Sequence, residues 1–236
     1  MIFRRRKEKI ILTEDVKINN VIIKEVRNTK FLGIVIDPYL SFYDHIQYLK
    51  GKVSRGLGIL YRGRKFFSKK TMVNLYNVFI YPYFTYCNVV WANTFETYLD
   101  PLVKAQKRAI RTISFSDRLA HTDPLFKGMN LLKIKEIYIT SVQLFMYKYH
   151  HYKLPPVFYS FFSRNIDVHD YATRQVYKLH APPMAKSHLC STIIRNVGVI
   201  VYNHFYDHID LNCSYYVYKK NLKKHILDND VISLLK

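Results

Sequence analysis

The chain is short of glycine, short of acid and nearly without cysteine. Seven of its 236 residues are glycine. Loops that cradle phosphate on successive backbone N–H groups need several glycines at fixed short spacings. No such loop occurs, and no G-x-S-x-G nucleophile turn. Asp and Glu together number 17, and no Asp-Asp or Glu-Glu pair is present. Two-metal nucleotide chemistry needs clustered carboxylates holding cations about 3.5–4 Å apart. The sequence offers no such cluster, so it assigns no catalytic residue and no metal ligand. The three cysteines, Cys87, Cys190 and Cys213, lie far apart without a C-x-x-C. That spacing excludes a zinc ribbon or a disulfide framework and points to a reducing compartment. The opening "MIFRRRKEKI" has no apolar run behind its basic residues, so it does not read as a secretory signal. The expected location is intracellular, nuclear or cytoplasmic.

Cations are abundant. Lys and Arg number 37, and the net charge is +20. Charge on that scale is the usual footprint of a polyanionic partner. There are 21 Tyr and 15 Phe, and hydrophobic residues make up 49% of the chain. A sizeable core can therefore form, and any rings left outside suit contact with bases. The partners expected are RNA and DNA, held by their backbones without strong sequence preference. A charge-solubilised globular protein is the bland alternative. From Thr71 to Phe95 no residue is charged, and the length would span a bilayer. Asn74, Asn77, Asn88 and Pro82 argue against a span, because amides in hydrocarbon need partners. A buried central helix kinked at Pro82 is the expectation there.

The pattern predicts a mainly α fold with a small antiparallel β element at the N-terminus. Asn19-Asn20 between two apolar runs signals a two-residue hairpin. "KFLGIVID", Lys30 to Asp37, reads as one strand with Gly33 in its middle. Ile46, Leu49, Val53, Leu57 and Leu60 then share one helical face, with Lys52, Arg55 and Arg62 roughly opposite. Ser68 is the expected N-cap of the next helix. Thr97 and Asp100 suggest a capping box for another, with Leu99, Leu102, Ala109, Ile110 and Ile113 inward. Its other side should present Lys104, Lys107, Arg108 and Arg111 as one basic arc. Further helices are expected at about 134–151, 187–208 and 215–228, the last with Lys219, Lys220, Lys223 and Lys224. Residues 163–184, ending near Pro182-Pro183, read as a linker. His204 and His208 share a helix face, but Phe205 stands where a zinc protease carries Glu. Gly56 and Gly58 sit inside the first helical pattern, where each costs about 1 kcal/mol against Ala. Close helix packing and close approach of a nucleic-acid backbone both explain them.

The order of these pieces resembles a known family. "VKINNVIIKEVRNTKFLGIVIDPYLSFYDHI", "LYNVFIYPYFTYCNVVW", "LVKAQKRAIRTI", "HTDPLF" and "LFMYKYHHYKLPP" are similar to the C-terminal part of jockey-like non-LTR retrotransposon reverse transcriptases. "HDYATR" and "KKNLKKHIL" extend the likeness, which covers nearly the whole chain. The family's Gly-Pro and Trp-Asn stand here as Gly198-Val199 and Tyr202-Asn203.

The resemblance implies four regions. Residues 1–40 would be a palm-edge hairpin and primer-grip strand, and 41–162 a helical thumb. Residues 163–186 would be an irregular linker, and 187–236 a basic helical C-terminal region. It implies that the palm aspartates lie upstream, that Mg²⁺ belongs only to the complete polymerase, and that this chain alone is inactive. Phe31, Leu32 and Gly33 would belong to the primer-grip strand that lays its backbone against the primer's 3′ end, with Phe31 and Ile34 packed into the palm. Lys52, Arg55, Arg62, Lys69, Lys70, Lys104, Lys107, Arg108 and Arg111 would contact nucleic acid. A stand-alone basic nucleic-acid-binding protein is the alternative. A membrane-associated protein using residues 71–95 is the third.

Overall fold

The fold is a mainly helical one, in a computed structural model that describes residues 1–3, 16–168, 175–181 and 193–235. The basic run at 4–15, the "HDYATR" segment, Pro182-Pro183 and Cys190 lie outside the described residues.

Two tight antiparallel hairpins come first. β1 (Lys17–Ile18) pairs with β2 (Val21–Ile22) across Asn19-Asn20. Both asparagines have positive φ, 48° and 64°, as a primed two-residue turn requires. β3 (Thr29–Phe31) pairs with β4 (Ile34–Ile36). "KFLGIVID" is thus two strands, not the single strand expected, and Leu32-Gly33 is the turn between them. Leu32 takes φ 45° and Gly33 φ 82°. Glycine is placed there by the left-handed backbone, which it adopts without a Cβ penalty.

Asp37 turns the chain into the first helix. Its buried carboxylate accepts from the backbone N–H of Tyr39 (2.9 Å), Ser41 (3.2 Å) and Phe42 (2.8 Å) and from Ser41 Oγ (3.1 Å). That set fixes Phe42 in a left-handed conformation before α1 (Tyr43–Gly63). Ile46, Leu49, Val53 and Leu60 are buried as the period predicts. α2 (Lys69–Phe79) starts with Ser68 Oγ accepting from the Thr71 N–H.

The uncharged stretch is not one central helix. It breaks into α2, α3 (Tyr81–Thr85) and α4 (Asn88–Trp91), with the first break at Ile80, ahead of Pro82. Val78, Tyr86 and Val90 stay exposed. No helix among the described residues is long and apolar enough to cross a membrane.

α5 (Glu96–Ile113) begins one residue before the expected cap. Thr97 therefore lies in the first turn and forms no capping box, while Pro101 is accommodated within the helix. Leu99, Leu102, Ala109, Ile110 and Ile113 all face inward and pack on α1. α6 (Asp123–Gly128) follows. The central helix is α7 (Ile134–His150), whose buried residues lie on almost every side. It touches α3, α4 and α5 on one hand and α8 (Ile194–Tyr206) and α9 (Tyr215–Asp228) on the other.

Buried polar groups tie these helices together. Gln106 donates to Tyr76 Oη and to Leu132 O, both at 2.9 Å, and accepts from the Ile134 N–H at 3.0 Å. Its amide thereby satisfies an N–H that the start of α7 would leave unpaired. Gln143 on α7 donates to Tyr218 Oη on α9. Short 3-10 turns at Pro156–Phe161 and Asn165–Asp167 follow α7. Leu179, within the expected linker, is buried, and Asn203 clamps it through both backbone N–H and C=O.

Candidate nucleic-acid interface

The exposed side of α1 is where sequence-predicted residues and unexpected ones meet. At 100° per residue, Tyr48, Gly51, Lys52, Arg55, Gly58 and Arg62 fall on one side of the helix. Arg55 and Arg62 are exposed, and Lys52 is half-buried. Lys30 from β3 and Lys52 from α1 place their ammonium groups 5.0 and 5.3 Å from the Tyr48 ring centre. Desolvation pushes the Tyr48 hydroxyl up, but hydrogen bonding and charge from Lys52 and Lys30 outweigh it, and the net direction is down. Two cations from different elements thus converge on one exposed ring.

The glycines of α1 separate into two kinds. A Cβ at Gly56 would lie 2.7 Å from Ile80 Cγ1 and 2.9 Å from Phe79 O, so packing explains that residue. A Cβ at Gly51 or at Gly58 would meet nothing within 4 Å. Packing among the described residues calls for neither one. Both lie on the basic side of α1, where each lowers helix stability by about 1 kcal/mol.

The Leu32-Gly33 turn rests on Tyr86. Tyr86 Oη donates to Leu32 O at 2.8 Å, and a Cβ on Gly33 would lie 3.3 Å from the Tyr86 ring. Phe31 and Leu32 are 61% and 73% exposed. Ile34 is buried within this chain, beside α1, so only Phe31 and Leu32 remain as an outward apolar tip.

The expected arc on α5 is divided. Lys104 is ion-paired with Asp100 at 2.5 Å. Arg111 donates through Nε to Ala120 O at 2.8 Å. Lys107 is half-buried; the Lys133 hydrogen bond chiefly holds Asp123 down, and the charges of Lys133, His121 and Lys107 add to it. Of the four, only Arg108 keeps an exposed guanidinium with no acid paired to it among the described residues. The four do not form one open basic arc.

Lys69 and Lys70 are exposed in the first turn of α2. Cations there oppose the helix dipole rather than complement it. Lys219, Lys220 and Lys224 on α9 are exposed, while burial lowers Lys223. His225 joins His204 and His208, with ring centres 5.2 to 6.5 Å apart. Among the described residues, no group of three His, Cys, Asp or Glu side chains is arranged to hold a metal ion.

Lys30, Tyr48 and Gly51 were not legible as site residues. Lys30 lies 18 residues before Tyr48 in a different element, and only the packing of the β3–β4 hairpin beside α1 brings them together. The one local signal was Tyr48 four residues before Lys52, a spacing that places side chains side by side on a helix. Comparison of the chain with protein-family models, with curated proteins and with solved structures gives no match.

Proposed function

We propose that the chain holds an RNA–DNA hybrid by its phosphates, as the thumb-side C-terminal portion of a jockey-like non-LTR retrotransposon reverse transcriptase. The observation that carries this reading is the α1 face. Lys52, Arg55 and Arg62 stand around Gly51 and Gly58, which have no packing reason to be glycine. A side without Cβ atoms lets a sugar–phosphate backbone approach closely, while the flanking cations neutralise phosphates. Contacts of this kind position nucleic acid without reading its sequence. The outward Phe31 and Leu32 lie at the turn of the β3–β4 hairpin, whose Lys30 reaches the Tyr48 ring beside Lys52. No step of nucleotide chemistry is assigned to residues of this chain, and Mg²⁺ would belong to the complete polymerase.

A second reading is a stand-alone basic nucleic-acid-binding protein. The buried side chains from Ile34 to Val231 form one cluster without an added domain, which favours it. An upstream frame encoding a Tyr-x-Asp-Asp motif supports the first reading, and its absence from genomic DNA supports the second.

Binding itself is tested by titrating labelled RNA–DNA hybrid at several salt concentrations. Six to ten phosphate contacts predict a fall in affinity of roughly 10³–10⁵ between 50 and 200 mM salt. A flat profile would count against phosphate binding. In primer extension with Mg²⁺ or Mn²⁺, the purified chain should incorporate no nucleotide.

A further inference from the structure

We propose that the tip built from residues 61–70 and 114–119 binds single-stranded nucleic acid by stacking unpaired bases on its exposed rings. This rests on the nucleic-acid reading above and adds a second, chemically different surface to it.

The segment "YRGRKFFSKK", Tyr61 to Lys70, carries five basic residues and no acid. None of these five cations is ion-paired with an acid among the described residues. Phe66 is 81% exposed and Tyr61 73%. The adjoining loop after α5 adds Phe115, half-exposed, Arg118, and Leu119 at 91% exposure. Single exposed hydrophobics are ordinary on a protein surface. Five lie here, Tyr61 in the last turn of α1, Phe66 and Phe67 after it, and Phe115 and Leu119 in the loop after α5, and with the cations among them they form a patch.

The tip is braced. Arg64 donates to Ser116 O at 3.3 Å and lies 5.7 Å over the Phe115 ring, joining the two loops. The N–H groups of Phe66 and Phe67 both point to Gly63 O, at 2.9 and 3.0 Å. Phe67 folds back over Gly63, where a Cβ would lie 2.9 Å from its ring. Phe67 therefore closes the end of α1, and the same tight turn leaves Phe66 outside. The braced backbone holds the Phe66 Cα in place, so less chain freedom is lost on binding.

Rings at 61, 66 and 67 are set among cations at 62, 64, 65, 69 and 70, so one segment offers contacts to both bases and phosphates. In a duplex the base faces are covered by their neighbours. Only unpaired bases offer a free π-face, and stacking on it tolerates any sequence. Cations set between the rings leave no continuous apolar side to insert into a lipid surface, which favours nucleic acid over membrane.

The test uses the full chain with three probes: an oligothymidylate of about twelve nucleotides, long enough to cover a small single-strand site, an RNA–DNA hybrid of equal length, and phosphatidylcholine vesicles with and without phosphatidylserine. The double variant Tyr61→Leu, Phe66→Leu keeps the charge and removes the rings. It should lose roughly 5- to 100-fold in affinity for the oligothymidylate, with hybrid affinity, salt slope and melting temperature unchanged. In Phe66→Trp, binding should be retained and a new exposed indole quenched by the oligonucleotide, since Trp91 is fully buried. Equal affinity of parent and double variant for the single strand, with the Phe66→Trp emission unquenched, would overturn the inference while hybrid binding still supports the proposed function. Vesicle binding lost in the double variant, with oligonucleotide binding unaffected, would assign the tip to an anionic membrane instead. A parent that binds neither nucleic acid would overturn both proposals.

Discussion

At the scale of single residues, side-chain chemistry decides several junctions that periodicity does not reveal. Gln106 serves a tyrosine hydroxyl, a carbonyl and a helix-starting N–H with one buried amide. Gln106→Leu should leave all three without a partner and lower stability by about 2–4 kcal/mol, read from urea denaturation midpoints. Asp37→Ala strips four hydrogen bonds from the entry to α1 and should cost on the order of 2–3 kcal/mol by the same measurement. Gly58→Ala has an unusual expected sign. It should stabilise the fold by about 0.5–1 kcal/mol and weaken hybrid binding. A variant that is more stable and binds equally well would make the glycine incidental. Neither Asp37 nor Gln106 was legible in the sequence as a junction. Asp37-Pro38 reads as a turn, and Gln106 sits among Lys104, Lys107 and Arg108 in a basic stretch, so partners 26 to 30 residues away left no local trace.

At the scale of elements, the sequence was clearest where a helix has one apolar face and one solvated face. α1 and α5 present the inward residues their period predicts, and α9 spans 215–228 as expected. It was least clear where apolar residues run without alternation. A continuous run such as "KFLGIVID" fits one buried strand or two short ones, and Leu32-Gly33 lacks the Asn-Gly or Asp-Gly signature of a hairpin turn. The uncharged stretch after Lys70 gave no period at all, and the chain resolves it by three short helices around Tyr86 and Trp91. The central position belongs instead to α7. The site shows the same division. Basic residues on α1 could be placed from helical spacing, whereas the pairing of Lys104 and the turning of Arg111 depend on acids and carbonyls around them. Replacing Lys104, Lys107, Arg108 and Arg111 by Gln should therefore shift hybrid binding less than replacing Lys52, Arg55 and Arg62, when both sets are compared by titration at one salt concentration.

At the scale of the whole molecule, charge and buried histidine set the response to conditions. His45 is buried against Trp91, and its Nδ1 accepts from the Val35 N–H at 3.3 Å. Burial lowers its pKa from 6.5 to about 4. The unfolded chain then binds a proton that the fold refuses, so this contribution is complete above pH 6.5 and is lost as pH falls toward 4. Burial also lowers His204 and His225, as do the neighbouring histidine charges, with the same sign. Stability measured by denaturant titration should decline between about pH 6.5 and 4. In His45→Asn, whose side-chain oxygen takes the place of Nδ1 without titrating, the decline should be shallower. The net charge of +20 also opposes the compact state through self-repulsion, so phosphate binding should raise the melting temperature, more so at low salt. The most direct measurement of the central claim is hybrid affinity against salt for the parent and for the variant with Lys52, Arg55 and Arg62 all changed to Gln. The account predicts weaker binding and a log–log slope shallower by roughly 0.7–0.9 for each phosphate that is no longer neutralised, with an unchanged melting temperature. An equally folded variant that binds like the parent, with the same slope at every salt concentration, would contradict it.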